Sequence, residues 1–276
     1  MDILKINKDM TEMVIRRMID GNPDKYICVD SLHKEYVSIN GILYYRTQHN
    51  KLALCYIPSV IKGTVYLPDN VIDIDLWEKP AISRLIGLEV EIIAARKTIY
   101  SDTNSFWQCP ITDICVPKIR EIQEEAFCGS MIKQFTISNS IEIIDRAFQD
   151  CKELSSLYTQ PVTVDNLFDN DSIDKILINS RAFENCTALK TVILKHTDHL
   201  IIGFETFAKC TNLQTIILRN IKNIPPHAFQ HCPNLTTILL PEDCTVADDA
   251  FEDCVKSKIT FLSDEELRNV VLEEKI

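Results

Sequence analysis

One sequence pattern is written three times between Ile201 and Cys254. The copies read IIGFETFAKCTNLQTIIL at 201–218, NIPPHAFQHCPNLTTILL at 223–240 and TVADDAFEDC at 245–254. In each copy a cysteine follows a phenylalanine after three residues, and the phenylalanines recur every 22 residues. A fixed period of this length is typical of stacked supersecondary units, none of which can bury its apolar face alone. The sequence therefore predicts a solenoid.

The second half of each unit predicts a short β-strand. Its Leu-x-x-Ile-x-Leu spacing matches the L-x-x-L-x-L core of a leucine-rich repeat, whose apolar positions alternate inward. We predict a right-handed, β-rich leucine-rich repeat solenoid with short parallel strands on its concave face. An N-terminal helix plus β-hairpin would precede it, and a C-terminal capping helix would follow.

Upstream of that stretch the phenylalanines continue, with one irregular step. The predicted ladder comprises Phe106, Phe127, Phe148, Phe183, Phe207, Phe229 and Phe251. The step of 35 residues from Phe148 to Phe183 divides at Phe168, and the run Ile173-x-x-Ile176-x-Ile178 would be one strand serving both halves. We therefore expect an irregular coil or a kink near residues 165–180.

Both ends of such an array need caps, because terminal repeats would otherwise expose apolar surface. Residues 1–35 are predicted as an N-terminal helical cap, with a helix at 8–20 and Asn7 as its N-cap. Residues 263–276 are predicted as a C-terminal capping helix that closes the last repeat. Ser263 and Glu266 have the spacing of a capping box at its start.

The remaining divisions lie between these caps. Two β-rich runs at 36–46 and 51–57 surround a short polar loop, which predicts a hairpin. Residues 36–68 would thus form a β-hairpin segment that leads into the solenoid, and residues 69–262 would form the leucine-rich repeats.

The order Ile-x-x-Ile, Ala-Phe-x-x-Cys, Leu-x-x-Ile-x-Leu-Pro resembles the BspA-like (Treponema-pallidum-type) leucine-rich repeat family. The fullest match is Ile221 to Phe229, Cys232 and Leu235 to Pro241, and the resemblance covers roughly residues 40–262. The segment Asn40 to Tyr44 followed by Val65 to Pro68 is similar to the one that often opens such arrays. The resemblance implies a binding scaffold, often a surface-exposed adhesin.

Composition excludes several classes of partner. The net charge of −11 argues against nucleic acid, because a binder of phosphate backbones needs a basic stripe. No apolar run is long enough to span a membrane, and the first residues contain none long enough for a signal peptide. We expect a cytoplasmic protein without membrane insertion, in which respect the chain departs from surface-exposed members of the family.

Motifs for chemistry are sparse. Six of the eleven cysteines follow a ladder phenylalanine by three residues, which predicts reduced, buried structural thiols. Structural zinc usually needs a C-x-x-C pair, and the sequence has none. The close histidine pairs His196–His199 and His227–His231 fall in predicted loops or turns, and nothing selects one Cys–His pair for catalysis. We predict no catalytic residues, no metal site and no cofactor.

Alternation along the strands predicts a binding surface. In L-x-x-L-x-L the first, fourth and sixth residues face the core, so the fifth and seventh face outward. The fifth column turns apolar from Tyr158 onward, and a contiguous apolar stripe usually marks a contact surface. The predicted protein-binding residues are Tyr158, Leu177, Ile193, Ile217 and Leu239, with Lys195, Arg219, Thr191 and Thr215 beside them. Two alternatives remain: β-branched residues simply suit strands, or the stripe is covered by the chain itself.

The sequence thus favours a non-enzymatic protein-binding scaffold that uses its concave face, such as an inhibitor or immunity-type partner protein. A second hypothesis is a cell-surface adhesion module that lacks its secretion signal in this chain. A third is an enzyme with an unrecognised Cys/His site. The sequence names no particular partner protein.

Overall fold

The computed structural model describes residues 2–87, 90, 92–93, 105–137, 140–159, 175–195, 197–254, 258–263 and 265–267. Its body is a β-solenoid whose coils each contribute a strand to two sheets of parallel strands, and the sheets enclose one continuous apolar core. The predicted leucine-rich repeat solenoid is confirmed.

The chain begins with a small unit that packs outside the solenoid core. Strand β1 (Ile3–Ile6), helix α1 (Glu12–Asp20) and strand β2 (Tyr26–Val29) form it, and β1 pairs in parallel with β2. The predicted N-cap is wrong, because the residue at the N-cap of the helix is Thr11. Asn7 lies in the preceding turn, where its carbonyl accepts a hydrogen bond from the Met10 amide at 3.2 Å. The helix buries Ile15 and Ile19 in a separate apolar cluster.

A three-stranded antiparallel meander follows, made of β3 (Tyr36–Ile39), β4 (Ile42–Arg46) and β5 (Leu52–Tyr56), with a 3₁₀ turn at Gln48–Asn50. The β-rich run 36–46 forms two strands. They are joined at Asn40 and Gly41, whose φ angles of 54° and 80° are those of a type I′ turn. A Cβ on Gly41 would lie 2.4 Å from Cδ1 of Tyr26, so glycine is also required by space.

From residue 64 onward the strands alternate between the two sheets. Even-numbered strands build what we term the repeat sheet: β6 (Thr64–Tyr66), β8 (Arg84–Ile86), β10 (Asp113–Cys115), β12 (Gln134–Ile137), β14 (Ser156–Thr159), β16 (Thr191–Leu194), β18 (Thr215–Leu218), β20 (Thr237–Pro241) and β22 (Lys258–Leu262). Odd-numbered strands build the second sheet: β7 (Val71–Ile74), β9 (Ile92–Ile93), β11 (Glu121–Ile122), β13 (Ile141–Ile143), β15 (Lys175–Ile178), β17 (His199–Ile202), β19 (Asn223–Ile224) and β21 (Thr245–Val246).

Each sheet has one interruption. The repeat sheet divides between β10 and β12, and the second sheet divides between β17 and β19, where a bridge between Leu200 and Ile221 connects the pieces. At its other end the second sheet continues through β7 into β5, β4 and β3. Strand β5 is therefore buried on both faces, with Leu54 in the solenoid core and Cys55 in the N-terminal cluster.

The predicted phenylalanine ladder is confirmed. Its seven rings stack in order, with centroids 4.9–5.4 Å apart and planes within 9° of parallel, a geometry typical of offset stacking. Phe148 stacks directly on Phe183 at 5.0 Å. The step of 35 residues is therefore one coil with an insertion, and its division at Phe168 is wrong. Phe168 and residues 160–174 lie outside the described residues.

The pairing of the strands on either side confirms that the solenoid continues through this step. Strand β14 pairs with β16 in the repeat sheet, and β13 pairs with β15 in the second sheet, both in parallel. The expected irregular coil or kink near residues 165–180 falls largely on residues 160–174, which lie outside the described residues.

The ladder cysteines join successive coils by hydrogen bonds. The thiols of Cys186, Cys210 and Cys232 donate to the carbonyl oxygens of Phe148, Phe183 and Phe207, one coil earlier, at 3.2–3.3 Å. Cys151 and Cys254 do the same at 3.1 Å to Phe127 and Phe229. Burial raises the pKa of the Cys151 and Cys210 thiols to about 12, so these donors keep their protons at neutral pH.

At the C-terminal end the predicted capping box is present. The Ser263 amide donates to Oε2 of Glu266 at 2.9 Å, and the Glu266 amide donates to Oγ of Ser263 at 3.3 Å. The bond from the Ser263 amide, together with one from Ser263 Oγ to Oε2 at 2.8 Å, lowers the pKa of the Glu266 carboxyl. The Leu267 amide then donates to the Ser263 carbonyl at 2.9 Å, which forms the first helical turn.

The predicted location of this helix, over the open end of the last repeat, is wrong for the part that the structure describes. Leu267 joins no residue of the solenoid core and instead lies on the outward face of the repeat sheet. Residues 268–276 lie outside the described residues.

Candidate protein-binding surface

The outward face of the repeat sheet carries a line of laterally adjacent apolar side chains. The register places Tyr158 beside Ile193, Ile193 beside Ile217, and Ile217 beside Leu239. Residues on either side of them, such as Val192 and Leu194, are buried in the solenoid core. The predicted alternation of these four residues is confirmed, and we call Tyr158, Ile193, Ile217 and Leu239 the apolar row.

Leu177 does not belong to the apolar row. It lies on β15 in the second sheet, where its neighbours across the strands are Glu142 and Ile201. The prediction is wrong because Ile173-x-x-Ile176-x-Ile178 imitates the repeat pattern, although this coil already supplies β14 to the repeat sheet. Alternation has the same period in both sheets and cannot assign a strand to one of them.

The centre of the apolar row is covered by the chain's own C-terminal segment. Ile193 is 5% exposed and Ile217 is 1% exposed, and both form a cluster with the fully buried Leu267. Tyr158, Leu239 and Leu262 are half-buried against this cluster. The prediction that the row is exposed in the isolated chain is therefore wrong at its centre, and coverage by the chain itself is observed there.

Two cations lie along one side of the row. Lys195 and Arg219 directly follow strands β16 and β18 and are half-buried. The Lys195 amide donates to Oγ1 of Thr159 at 3.2 Å, and the Arg219 amide donates to the Leu194 carbonyl at 2.9 Å. These bonds fix where both side chains leave the sheet.

Both cations lack partners among the residues that the structure describes. Neither Lys195 nor Arg219 forms an ion pair there, and Nε of Arg219 is buried without a hydrogen-bond acceptor. On the other side of the row, Thr191 and Thr215 lie beside each other and are half-buried. The row is thus bordered by hydroxyl groups on one side and positive charge on the other.

The same face extends towards the N-terminus, where the sequence did not identify a site. Tyr66, Ile86 and Cys115 are lateral neighbours on β6, β8 and β10, and Tyr66 is 70% exposed. The alternation Val65-x-Leu67 around Tyr66 was the available signal. Leu267 was also not among the predicted site residues, because its helical spacing favours an end cap over coverage of the stripe by the chain itself.

The two histidines of the pair His227–His231 have different carboxylate partners. His227 pairs through Nε2 with Asp249 at 3.3 Å, whereas His231 pairs through Nδ1 with Asp253 at 2.7 Å. His199 is exposed on β17, and His196 lies outside the described residues. Over the described residues, no group of three or more potential metal ligands comes together, and no helix is both long and apolar enough to cross a membrane.

Two cavities in the described part of the chain are lined by a histidine or by a cysteine, but not by both. His199 lines a cavity of about 440 Å³ beside β17, whereas Cys55 lines another of about 200 Å³ under Tyr36 and Trp77. On the repeat sheet, the described residues present an apolar and basic outward face.

Parallel strands in short coils, a phenylalanine ladder and an apolar sheet face define a leucine-rich repeat scaffold of the kind that binds proteins or mediates adhesion. The model of the BspA type leucine rich repeat region matches residues 88–174 and 166–273, with six copies. The chain belongs to this family.

Solved structures of bacterial leucine-rich repeat proteins are similar to this chain. The T. pallidum leucine-rich repeat protein TpLRR is 18% identical over 85% of this chain and 94% of its own, with a TM-score of 0.46. A leucine rich cell surface protein from Faecalibacterium prausnitzii is 17% identical over 87% and 97%, with a TM-score of 0.31. Pneumococcal vaccine antigen PcpA is 13% identical over 83% and 88%, with a TM-score of 0.36. A search of curated protein sequences gives no match.

Proposed function

We propose that this protein is a non-enzymatic scaffold that binds another protein through the outward face of its repeat sheet. The observation that carries the proposal is the apolar row, which crosses four adjacent strands beside two cations that lack partners among the described residues. Interfaces between proteins combine a desolvated apolar centre with a polar rim. Ile193 and Ile217 supply such a centre, and Lys195 and Arg219 supply part of the rim.

The positive rim indicates the charge of the partner. The chain has a net charge of −11, so the two cations beside the apolar row form a small basic patch on an acidic protein. They favour a partner with acidic groups around an apolar projection, because complementary charge orients the encounter. We propose that the protein acts by occluding its partner's surface, as an inhibitor or immunity-type protein does.

We also propose a cytoplasmic location, supported by the ladder thiols. Their hydrogen bonds to carbonyl oxygens require protonated thiols, and disulfides are rare in reducing compartments. Thiol titration of denatured protein, purified without reductant, should find about eleven reactive groups, and native protein should show few. A much lower count after denaturation would indicate disulfides and would favour the adhesion module instead.

The binding face is tested by matched charge reversals. The variant Lys195→Glu/Arg219→Glu changes the rim, whereas Lys152→Glu/Lys175→Glu makes the same charge change at exposed residues in a turn and on the second sheet. Each tagged protein is used to capture partners from native lysate, with mass spectrometry as the readout. We expect a protein that the wild type and the control pair retain equally and that the rim variant captures in several-fold smaller amounts. Retention of the same proteins by all three would overturn the assignment of the face.

A further inference from the structure

The C-terminal segment occupies the face that we propose for a partner. After β22 the chain forms the capping box at Ser263 and Glu266 and then turns back over the sheet. Leu267 is fully buried against Ile217 and Ile193. Ile217 lies on β18, two strands from β22 in the sheet, and Ile193 lies on β16, three strands from β22. The face therefore already buries one leucine delivered by a helical turn.

The charge of the segment complements the rim of the face. Asp264, Glu265 and Glu266 precede Leu267 in the sequence, and residues 263–276 carry five acidic and two basic side chains. Lys195 and Arg219 are the basic side chains that border the row, and neither has an ion-pair partner in the described part of the chain. The face therefore buries a leucine, and the net charge of the segment that carries this leucine is opposite to that of the rim.

We propose that the segment starting at Ser263 is an internal competitor, which a partner displaces by docking its own acidic, leucine-bearing helix on the apolar row. The inference rests on the proposed function of the face and names both its regulation and the class of its partner. The contact is local, because Leu267 belongs to a cluster separate from the solenoid core. The segment can therefore leave while the coils stay folded.

Competition of this kind has a measurable consequence. A partner binds only the fraction of molecules whose face is open, so its apparent affinity falls by that fraction. Burial of one leucine corresponds to a factor of about ten to a hundred in an equilibrium constant. Release of the segment should therefore tighten binding in trans by about that factor.

The direct test uses the full chain and a synthetic peptide of residues 263–276 labelled with a fluorophore. Leu267→Asp releases the segment, and Leu32→Asp is the matched control, because Leu32 is 70% exposed in a distant turn. Anisotropy should show peptide binding to Leu267→Asp and at least ten-fold weaker binding to the wild type and to Leu32→Asp. Adding Ile217→Asp to Leu267→Asp should abolish binding. Equal binding by all variants, or none by a folded Leu267→Asp protein, would overturn the proposal.

Amide hydrogen exchange on the wild type provides a test that does not depend on a variant folding. The Leu267 amide, bonded to Ser263, should exchange at least about 100-fold faster than the Phe207 amide, bonded to Ala228 in the core. Equal protection would mean that the segment opens only when the whole protein unfolds, and the competitor would be excluded.

The two proposals fail in different ways. If the rim variant binds the partner more weakly but Leu267→Asp does not tighten its binding, the face is correct and the competitor is wrong. If Leu267→Asp binds the peptide but the rim variant binds the partner as tightly as the wild type does, the segment docks as proposed and the partner uses another surface.

Discussion

The two sheets of the solenoid share one core but present different outward faces. On the repeat sheet, the row Tyr158–Ile193–Ile217–Leu239 is apolar and covered at its centre by Leu267. On the second sheet, the register gives the row Glu121–Glu142–Leu177–Ile201, which mixes charged and apolar residues. Ile201 there is 46% exposed, against 1% for Ile217.

This difference distinguishes the inward residues, which stabilise the fold, from the outward residues, which can contact a partner. Inward residues of both sheets enter the same core, so they carry no information about a partner. Outward residues are free to differ, and among the described residues the covered apolar cluster lies on the repeat sheet. Exposure alone would have selected Ile201; the covered row is the better candidate because the molecule itself shows what kind of group binds there.

The largest expected effect comes from the core that both sheets share. Phe229 is fully buried and stacks between Phe207 and Phe251 at 5.3 and 5.2 Å. Phe229→Ala should lower the free energy of unfolding by about 3–5 kcal/mol, as other large-to-small core changes do. Denaturant unfolding measures it. A loss below about 1 kcal/mol would place Phe229 outside the core that joins the sheets.

Alkaline pH should weaken the same core through the thiols. Burial raises the pKa of Cys151 and Cys210 to about 12, whereas a thiol in the unfolded chain titrates near about 8.5. The contribution of these protonated thiols to the free energy of unfolding is therefore fully present below the unfolded-state pKa of about 8.5. It is lost as the pH rises towards the folded-state pKa of about 12. Between pH 9 and 10 we expect a loss of roughly 1 kcal/mol for each such thiol.

Unfolding curves at several pH values check this prediction. Cys210→Ala should remove one thiol's share of the pH dependence, although it lowers stability at neutral pH. An unchanged slope in that variant would show that the ladder thiol is not what titrates.

The coil architecture was predictable because its signals are local and repeated. A phenylalanine every 21–24 residues, apart from the one step of 35, and the L-x-x-L-x-L alternation predict one stack. The rings of Phe207 and Phe229 belong to that stack. The assignment of Leu177 failed because both sheets use the same two-residue period. Only pairing across strands, which depends on distant residues, shows that β15 lies beside β13.

The site was predictable in its register but not in its coverage. The positions of Ile193 and Ile217 on the outward face follow from alternation, whereas Leu267 reaches them from 50 or more residues along the chain. The capping box at Ser263 predicts where a helix starts and leaves its direction open, because that is decided by the apolar surface within reach. A helix that closes the last repeat and a helix that covers the outward face of the repeat sheet have the same sequence pattern.

The comparison of the two outward faces is sharpened by one matched pair of variants. Ile217→Asp removes the seat of Leu267 and should cost about 1.5–3 kcal/mol, the value of one buried aliphatic side chain. Ile201→Asp makes the same change on an exposed strand and should cost no more than about 0.5 kcal/mol. Thermal or denaturant unfolding of both variants gives the difference. Complete unfolding of Ile217→Asp would instead place Ile217 in the core, with the alternation out of register by one residue.

The smallest expected effect concerns the rates at which a partner arrives at the covered face. Lys195 and Arg219 are partly solvated, so each contributes at most about 1 kcal/mol, chiefly by steering the encounter. Lys195→Glu/Arg219→Glu should slow association several-fold and leave dissociation nearly unchanged. Raising the ionic strength from about 0.15 to 0.5 M should slow association of the wild type similarly, because salt screens solvated charges.

Surface plasmon resonance with the captured partner measures both rates, with Lys152→Glu/Lys175→Glu as control. A change confined to dissociation would mean that the two cations are buried in direct ion pairs, and the centre of the interface would then lie on them rather than on the apolar row.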